Sequence, residues 1–202
     1  MGAKNMTREA RDMELQWFDI RELTEDAAGA VMGMMGEMRR RRVADIAGED
    51  DRKRTIAGEL LARRMLAQTM GCAEKDVPLQ WDELGKPSVE KDGVYVSVSH
   101  SGPWAVCVTA DAPVGADVEV VRSAQEKFMR RVCSEQEMAY IRSGDDGDCQ
   151  RFWEIWTAKE ALFKLTGKGP LLALSRFSLP AGVTLDYTAQ KGCALTIAAQ
   201  IL

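Results

Sequence analysis

Three extended runs lie between Val94 and Val121: VYVSVS, which alternates with period two, then WAVCVTA and VGADVEVV. They are broken at Gly102-Pro103 and again before Pro113. A period of two sends successive side chains to opposite faces, so VYVSVS predicts a strand, and the other two runs read as strands beside it. The Gly-Pro break makes a hairpin of the first two. The third follows so closely that a meander in one sheet is expected.

The flanking segments have a different period. KRTIAGELLARRMLAQTM (53–70) places Ile56, Leu60, Leu61 and Met65 at helical spacing and stops at Gly71. LGKPSV reads as a turn, residues 122–143 as one or two helices, and SGDDGD (143–148) as a loop. QRFWEIWTAKEALFKLTG reads as a long helix closed by Gly167, and FSL, VTLDYT and CALTIAAQIL read as short strands. Helix, strands, helices, strands is the order of an α+β protein, not of a doubly wound sheet. No residue-level internal repeat is visible.

Composition narrows the function classes. The 202 residues suffice for one domain or two small ones, and 46% hydrophobic with 29% charged residues is an ordinary globular balance. No apolar run approaches the roughly 18 residues that span a bilayer, and the first residues lack the apolar stretch of a secretory signal. A cytoplasmic chain without membrane association is expected. Five cysteines, odd in number and without C-x-x-C spacing, suggest reduced thiols, and with a single histidine they argue against structural zinc. His100 lies between two serines, but no G-x-S-x-G elbow is present, so a serine hydrolase is disfavoured. LTGKGP lacks the full P-loop spacing, and no G-x-G-x-x-G opens a helix. The net charge is −4, yet arginines crowd into RRRR (39–42), RKR (52–54) and RR (63–64). Such clusters are either a solvated helix face or a seat for a polyanion.

Two acidic features carry more chemistry. In GADVEV, Asp117 and Glu119 stand two apart on a strand, so both carboxylates leave one face about 6.6 Å apart while Val118 and Val120 face the core. If both were charged and partly buried, their repulsion would be roughly 2.5 kcal/mol at an effective dielectric near 20. A hard cation with oxygen ligands, such as Mg²⁺, would remove it, whereas on a wet strand face the repulsion is weak. On the helix WTAKEALFK, Glu160 and Lys164 share a face with Trp156 one turn earlier, and Lys159 projects about 100° away. Taken alone, Glu160 and Lys164 are also an ordinary helix-stabilising pair.

LGKP (84–87), VSVSHSG (96–102), GADVEVV (115–121) and WTAKEALFKLTGKG (156–169) occur in an order and spacing that resembles the Sfp-type 4′-phosphopantetheinyl transferases. The resemblance implies two similar α+β halves in one chain, residues 1–115 and 116–202, with coenzyme A in the cleft between them. It implies transfer of the phosphopantetheine arm of coenzyme A to a serine of an apo acyl or peptidyl carrier protein, with release of adenosine 3′,5′-bisphosphate. By the same resemblance Asp117, Glu119 and Glu160 match metal-binding carboxylates for Mg²⁺ or Mn²⁺, and Glu160 also matches the general base. Lys164 and Lys159 match lysines near the phosphates, and His100, with Ser99 beside it, lies at the coenzyme A site. Arg39, Arg42, Arg54 and Thr55 align with binders of the 3′-phosphate, although four arginines in a row allow a slip of one. Lys86, followed by Pro87, aligns with a residue at the adenine.

Two departures from the family pattern stand out. Ala116 occupies a position usually β-branched but expected to face the core, and the C-terminal strands are short. Charge complementarity to an acidic carrier places docking near residues 121–142, with Arg122, Lys127, Arg130 and Arg131 as charged contacts and Phe128 and Met129 as apolar ones. A monomer is expected. Two competing readings are an arginine-rich nucleic-acid module and a Mg²⁺-dependent phosphodiesterase. The acidic net charge and absence of interleaved aromatics oppose the first, and the lack of larger carboxylate and histidine clusters opposes the second.

Overall fold

In the computed structural model, which describes residues 13–144, 149–167 and 179–201, the extended runs become strands of two sheets, not one. The elements are β1 (Met13–Asp19), α1 (Glu25–Met34), α2 (Glu37–Ala44), α3 (Glu49–Met70), β2 (Gln80–Trp81), β3 (Pro87–Ser88), β4 (Tyr95–Ser101), β5 (Trp104–Ala110) and β6 (Val114–Val120). They continue with α4 (Glu126–Val132), α5 (Glu135–Arg142), α6 (Cys149–Thr166), β7 (Val183–Gln190) and β8 (Cys193–Gln200). The molecule is α+β, with antiparallel sheets ordered β1-β5-β4 and β6-β8-β7.

The two sheets repeat one plan. A first strand is followed by a long helix and then a hairpin, and the first strand pairs with the second arm of the hairpin. Thus β1, α3, β4 and β5 correspond to β6, α6, β7 and β8. Both long helices are followed by a left-handed glycine, Gly71 at φ 69° and Gly167 at φ 63°. The correspondence is one of topology, which is why residue-level comparison of the halves does not reveal it. Strand β6 begins at Val114 and therefore runs across the expected division between residues 115 and 116.

The β4–β5 hairpin forms as expected, turning at Gly102 (φ 55°), but β6 leaves it and pairs with β8. The serines of β4 account for the difference. Ser97, Ser99 and Ser101 all point to one side, where their hydroxyls accept the backbone N–H groups of Ala116 (2.9 Å), Val118 (3.2 Å) and Val120 (3.1 Å). The free edge of β6 is thus satisfied by side chains of the neighbouring sheet instead of by a backbone ladder. Apolar residues of both sheets then close one core across the joint, including Val106, Val118, Leu195 and Trp104.

Helix α3 starts at Glu49, four residues before the expected Lys53, and Glu49, Asp50 and Asp51 complement the positive end of the helix dipole. Its buried face packs Ala57, Leu61 and Met65 against Val96, Ala105 and Cys107. A Cβ at Gly58 would lie 2.8 Å from Val98 Cγ1, so glycine permits the helix to sit down on β4. Gly115 does the same for the second half, where α6 lies directly against β6. Residues 122–143 form two helices, the second opened by a reciprocal capping box between Ser134 and Glu137. Ala116 is buried, as expected, and the five cysteines are free thiols. Most of the expected 143–148 loop, Arg176 to Ser178 with most of the FSL strand, and Lys168 and Gly169 of the last motif lie outside the described residues. Among the described residues no helix is long and apolar enough to cross a membrane.

Candidate active site

A cleft of about 400 Å³ opens where the halves meet. The first half supplies Arg39 and Arg42 from α2, Thr55 from α3, the β2–β3 turn with Leu84 and Gly85, and Ser99 and His100 from β4. The second half supplies Asp117 and Glu119 from β6, and Trp156, Glu160 and Lys164 from one face of α6. The wall is cationic on one side and carboxylate-lined on the other.

Strand β4 explains the setting of the only histidine. Its alternation sends Ser97, Ser99 and Ser101 into the joint and leaves His100 on the opposite face, beyond Val96 and Val98 and open to the cleft. Protein packed around the imidazole pushes its pKa down to about 4, and the cations of Lys164 and Arg54 push it the same way. The shift favours the neutral imidazole at pH 7.

The carboxylates are held by neighbours that leave selected oxygens free. Asp117 Oδ1 accepts from Ser99 Oγ at 2.9 Å and from Lys164 Nζ at 2.8 Å. Glu119 Oε2 accepts from Ser101 Oγ at 2.6 Å. Asp117 Oδ2 and Glu160 Oε1 are buried and have no hydrogen-bond partner among the described residues. Burial first, then the charges of Asp117 and Glu119, push the Glu160 carboxyl up to about 7, while Lys164 pulls it down. Burial also raises Glu119. Bare carboxylate oxygens on adjacent elements are the donors a hard divalent cation takes, so the residues fit one. Among the described residues, no three Asp, Glu, His or Cys side chains are already drawn together closely enough to hold a metal.

The cleft includes most of the residues singled out from the sequence, but not all. Arg39 and Arg42, three residues apart, face it together, whereas Arg40 turns to the Met35 carbonyl and Arg41 to Glu37. The three-residue spacing places Arg39 and Arg42 on one helix face, toward the cleft. Arg54 stands beside the cleft, with Nη1 donating to the Gly102 carbonyl at 2.8 Å and Nη2 paired with Asp51. Lys86 and Pro87 line an adjoining recess of about 210 Å³ that shares Leu84, Gly85, Val98, Glu160 and Lys164 with the main cleft. Lys86 Nζ donates to the Leu165 carbonyl at 3.4 Å. Lys159 does not reach the cleft, contrary to expectation. It is buried, and its Nζ donates to the Val132 carbonyl at 2.8 Å and to Glu137 Oε2 at 2.7 Å, tying α6 to α4 and α5.

Sequence reasoning passed over Trp81, whose ring centroid lies 4.0 Å from the Arg39 guanidinium carbon, and Glu59, buried behind it. It also read Ser101 only as a strand residue. The available signals were an acid inside the apolar stripe of α3 and a second period-two series, of serines, inside β4.

Comparison with known proteins agrees with this arrangement in both halves. Residues 24–112 match the family model described as 4′-phosphopantetheinyl transferase, N-terminal, and residues 113–196 match the 4′-phosphopantetheinyl transferase superfamily. The chain belongs to the 4′-phosphopantetheinyl transferase superfamily. The junction of the two matches falls between β5 and β6, where the superfamily member passes from one sheet to the other. Among its relatives, the 4′-phosphopantetheinyl transferase gsp of Aneurinibacillus migulanus is 32% identical over 63% of this chain and 54% of its own length. The 4′-phosphopantetheinyl transferase Sfp of Bacillus subtilis (strain 168) is 26% identical over 79% of this chain and 72% of its own. The 4′-phosphopantetheinyl transferase psf-1 of Bacillus pumilus is 33% identical over 63% and 56%. The chain thus spans about half the length of gsp and psf-1 and nearly three quarters of Sfp.

Proposed function

We propose that this chain transfers the 4′-phosphopantetheine arm of coenzyme A to a serine hydroxyl of an apo acyl or peptidyl carrier protein. The observation that carries the reading is one cleft in which Arg39, Arg42, His100 and Lys164 face Asp117, Glu119 and Glu160. Cations suit a polyanionic pyrophosphate, and a carboxyl pushed up to about 7 is poised to take a proton near neutral pH. The segments before and after the β5–β6 connection act as the two halves, each supplying part of the site.

In this mechanism the carrier serine oxygen attacks the phosphorus bearing the pantetheine arm. A new O–P bond forms, the bond to the bridging oxygen breaks, and adenosine 3′,5′-bisphosphate leaves. Glu160 takes the serine proton. Arg39, Arg42, Thr55 and the adjacent Arg54 hold the nucleotide phosphate, Lys86 and Pro87 border the base, and His100 and Lys164 stabilise charge on the leaving group. Asp117, Glu119 and Glu160 would hold Mg²⁺ or Mn²⁺, which supplies neutralising charge to the pyrophosphate when bound. Lys159, committed to Glu137, serves to place α6 and not to contact phosphate.

The carrier docks on residues 121–142. Phe128 is 37% exposed, and Arg122, Lys127, Arg130 and Arg131 lie on the same segment. Met129, by contrast, is buried in the core with Phe152 and Trp153 and is no docking contact. The chain works as a cytoplasmic monomer, without nucleic acid or membrane. The test is the intact mass of an apo carrier incubated with this protein, coenzyme A and Mg²⁺, alongside Glu160→Gln. A gain of one phosphopantetheine arm that the variant abolishes supports the proposal. Hydrolysis of coenzyme A without transfer would replace it with the phosphodiesterase reading.

A further inference from the structure

Glu59 sits on α3 with its side chain 1% exposed. A carboxylate so deeply buried is tolerated only with well-placed cations around it. One oxygen, Oε1, accepts from Arg63 Nε at 2.9 Å. Three further N–H groups of Arg63 go to the carbonyls of Met34 (3.0 Å), Glu74 (3.2 Å) and Val77 (3.3 Å), so Arg63, itself buried, braces the scaffold and does not line the cleft. The other oxygen, Oε2, is buried without a hydrogen bond among the described residues, and the cation facing it is Arg39, with Nε at 3.6 Å.

Arg39 is therefore held from two directions. Glu59 stands at its Nε edge, and the Trp81 ring lies 4.0 Å beneath its guanidinium carbon. The terminal Nη groups make no hydrogen bond among the described residues, and the residue lines the cleft beside Arg42 and Thr55. Arg42 adds a second cation nearby, and the buried Glu59 charge offsets their mutual repulsion before any ligand arrives.

We propose that Glu59 and Trp81 form a seat that aims the Arg39 guanidinium into the cleft, making Glu59 a positioning residue for the anionic ligand although it never touches it. The proposal rests on the coenzyme A reading for the identity of the ligand. A flexible arginine must lose its rotamer freedom when it binds, whereas a seated one has already lost it.

The test is a double-mutant cycle of coenzyme A affinity by calorimetry in Mg²⁺ buffer, with wild type, Glu59→Gln, Arg39→Ala and the double variant. Each is checked by thermal unfolding. Glu59→Gln is expected to weaken binding roughly three- to tenfold, with kcat at saturating coenzyme A unchanged and no further effect in the Arg39→Ala background. Equal weakening in both backgrounds, or none in Glu59→Gln while Arg39→Ala binds poorly, overturns the seat. If Glu59→Gln does not fold, Trp81→Leu replaces it in the cycle with the same expectations. A second readout needs no ligand. The Arg39 Nε–Hε signal in a ¹⁵N relaxation experiment should be ordered in wild type and mobile in either seat variant, and equal order in both overturns the proposal. A wild-type chain that binds no coenzyme A would refute the catalytic reading, and the relaxation result would still decide the seat.

Discussion

Replacing Glu160 by glutamine should stabilise the metal-free protein at alkaline pH, although it removes the group assigned to take the proton. The folded protein pushes this carboxyl up to about 7 from the ordinary 4.5, chiefly by burial and then by the Asp117 charge. The folded state therefore holds the proton more tightly than the unfolded chain. Stability from this group is complete below about pH 4.5, falls as the unfolded chain ionises, and is fully lost above about pH 7. At full weight the loss is about 3 kcal/mol. Because the carboxyl borders an open cleft, screening reduces it to roughly 1–2 kcal/mol. Glutamine keeps the shape and cannot ionise. The variant should match wild type near pH 4.5 and exceed it at pH 8 by about 2–8 °C in Tm. Thermal unfolding in chelator across that range measures the difference directly. Adding Mg²⁺ should stabilise wild type more at pH 8 than at pH 5, and should narrow the gap. Parallel pH profiles for the two proteins, or a less stable variant at pH 8, would refute the placement of Glu160 in a desolvated acidic cluster.

The remaining predictions concern the frame and the cationic wall. A Cβ at Gly115 would lie 2.1 Å from the Ala161 carbonyl oxygen and 2.5 Å from Leu165 N. Gly115→Ala should therefore destabilise by about 1–3 kcal/mol or more in denaturant unfolding, and an unchanged midpoint would contradict the close packing of β6 on α6. Ser99→Ala strips the Val118 N–H of its acceptor and Asp117 Oδ1 of one donor, for a loss of roughly 1–3 kcal/mol. A neutral outcome would mean that the serine ladder does not join the sheets. His100, neutral when free because its pKa is near 4, should take up a proton when a phosphate settles beside it. Coenzyme A affinity should then rise as pH falls from 8 to 6, and calorimetry in buffers of differing ionisation enthalpy should show uptake that His100→Gln abolishes.

The sequence makes the strands and long helices legible because period two and period 3.6 are local properties. Which sheet a strand joins is not local. The run 114–120 has the pattern of a third meander strand, and only the partners available to its two edges assign it to β8. The direction of a helical side chain is likewise readable, but what faces it is not. Lys159 projects away from the Glu160 face as its spacing requires, and Glu137, fixed there by the capping box of α5, claims its ammonium group. Glu59 shows the converse. Its place in an apolar stripe signals a buried ion pair, whereas its second partner, Arg39, comes from another helix and is visible only in three dimensions.

The same strand explains why the cleft forms at the joint of two repeated halves. Each sheet has an edge that must be satisfied, and joining them by a backbone ladder would make one continuous sheet. The hydroxyls of Ser97, Ser99 and Ser101 accept the β6 amides instead, and two of them also donate to Asp117 and Glu119. One face of β4 thus fastens the halves and orients the acidic residues. Because strand side chains alternate, the other face carries His100 into the cleft beside the arginines. A one-residue shift in the register of β4 would exchange the faces of the serines and the histidine and strip the β6 amides of their acceptors. A single alternating stretch therefore couples the integrity of the fold to the arrangement of the site.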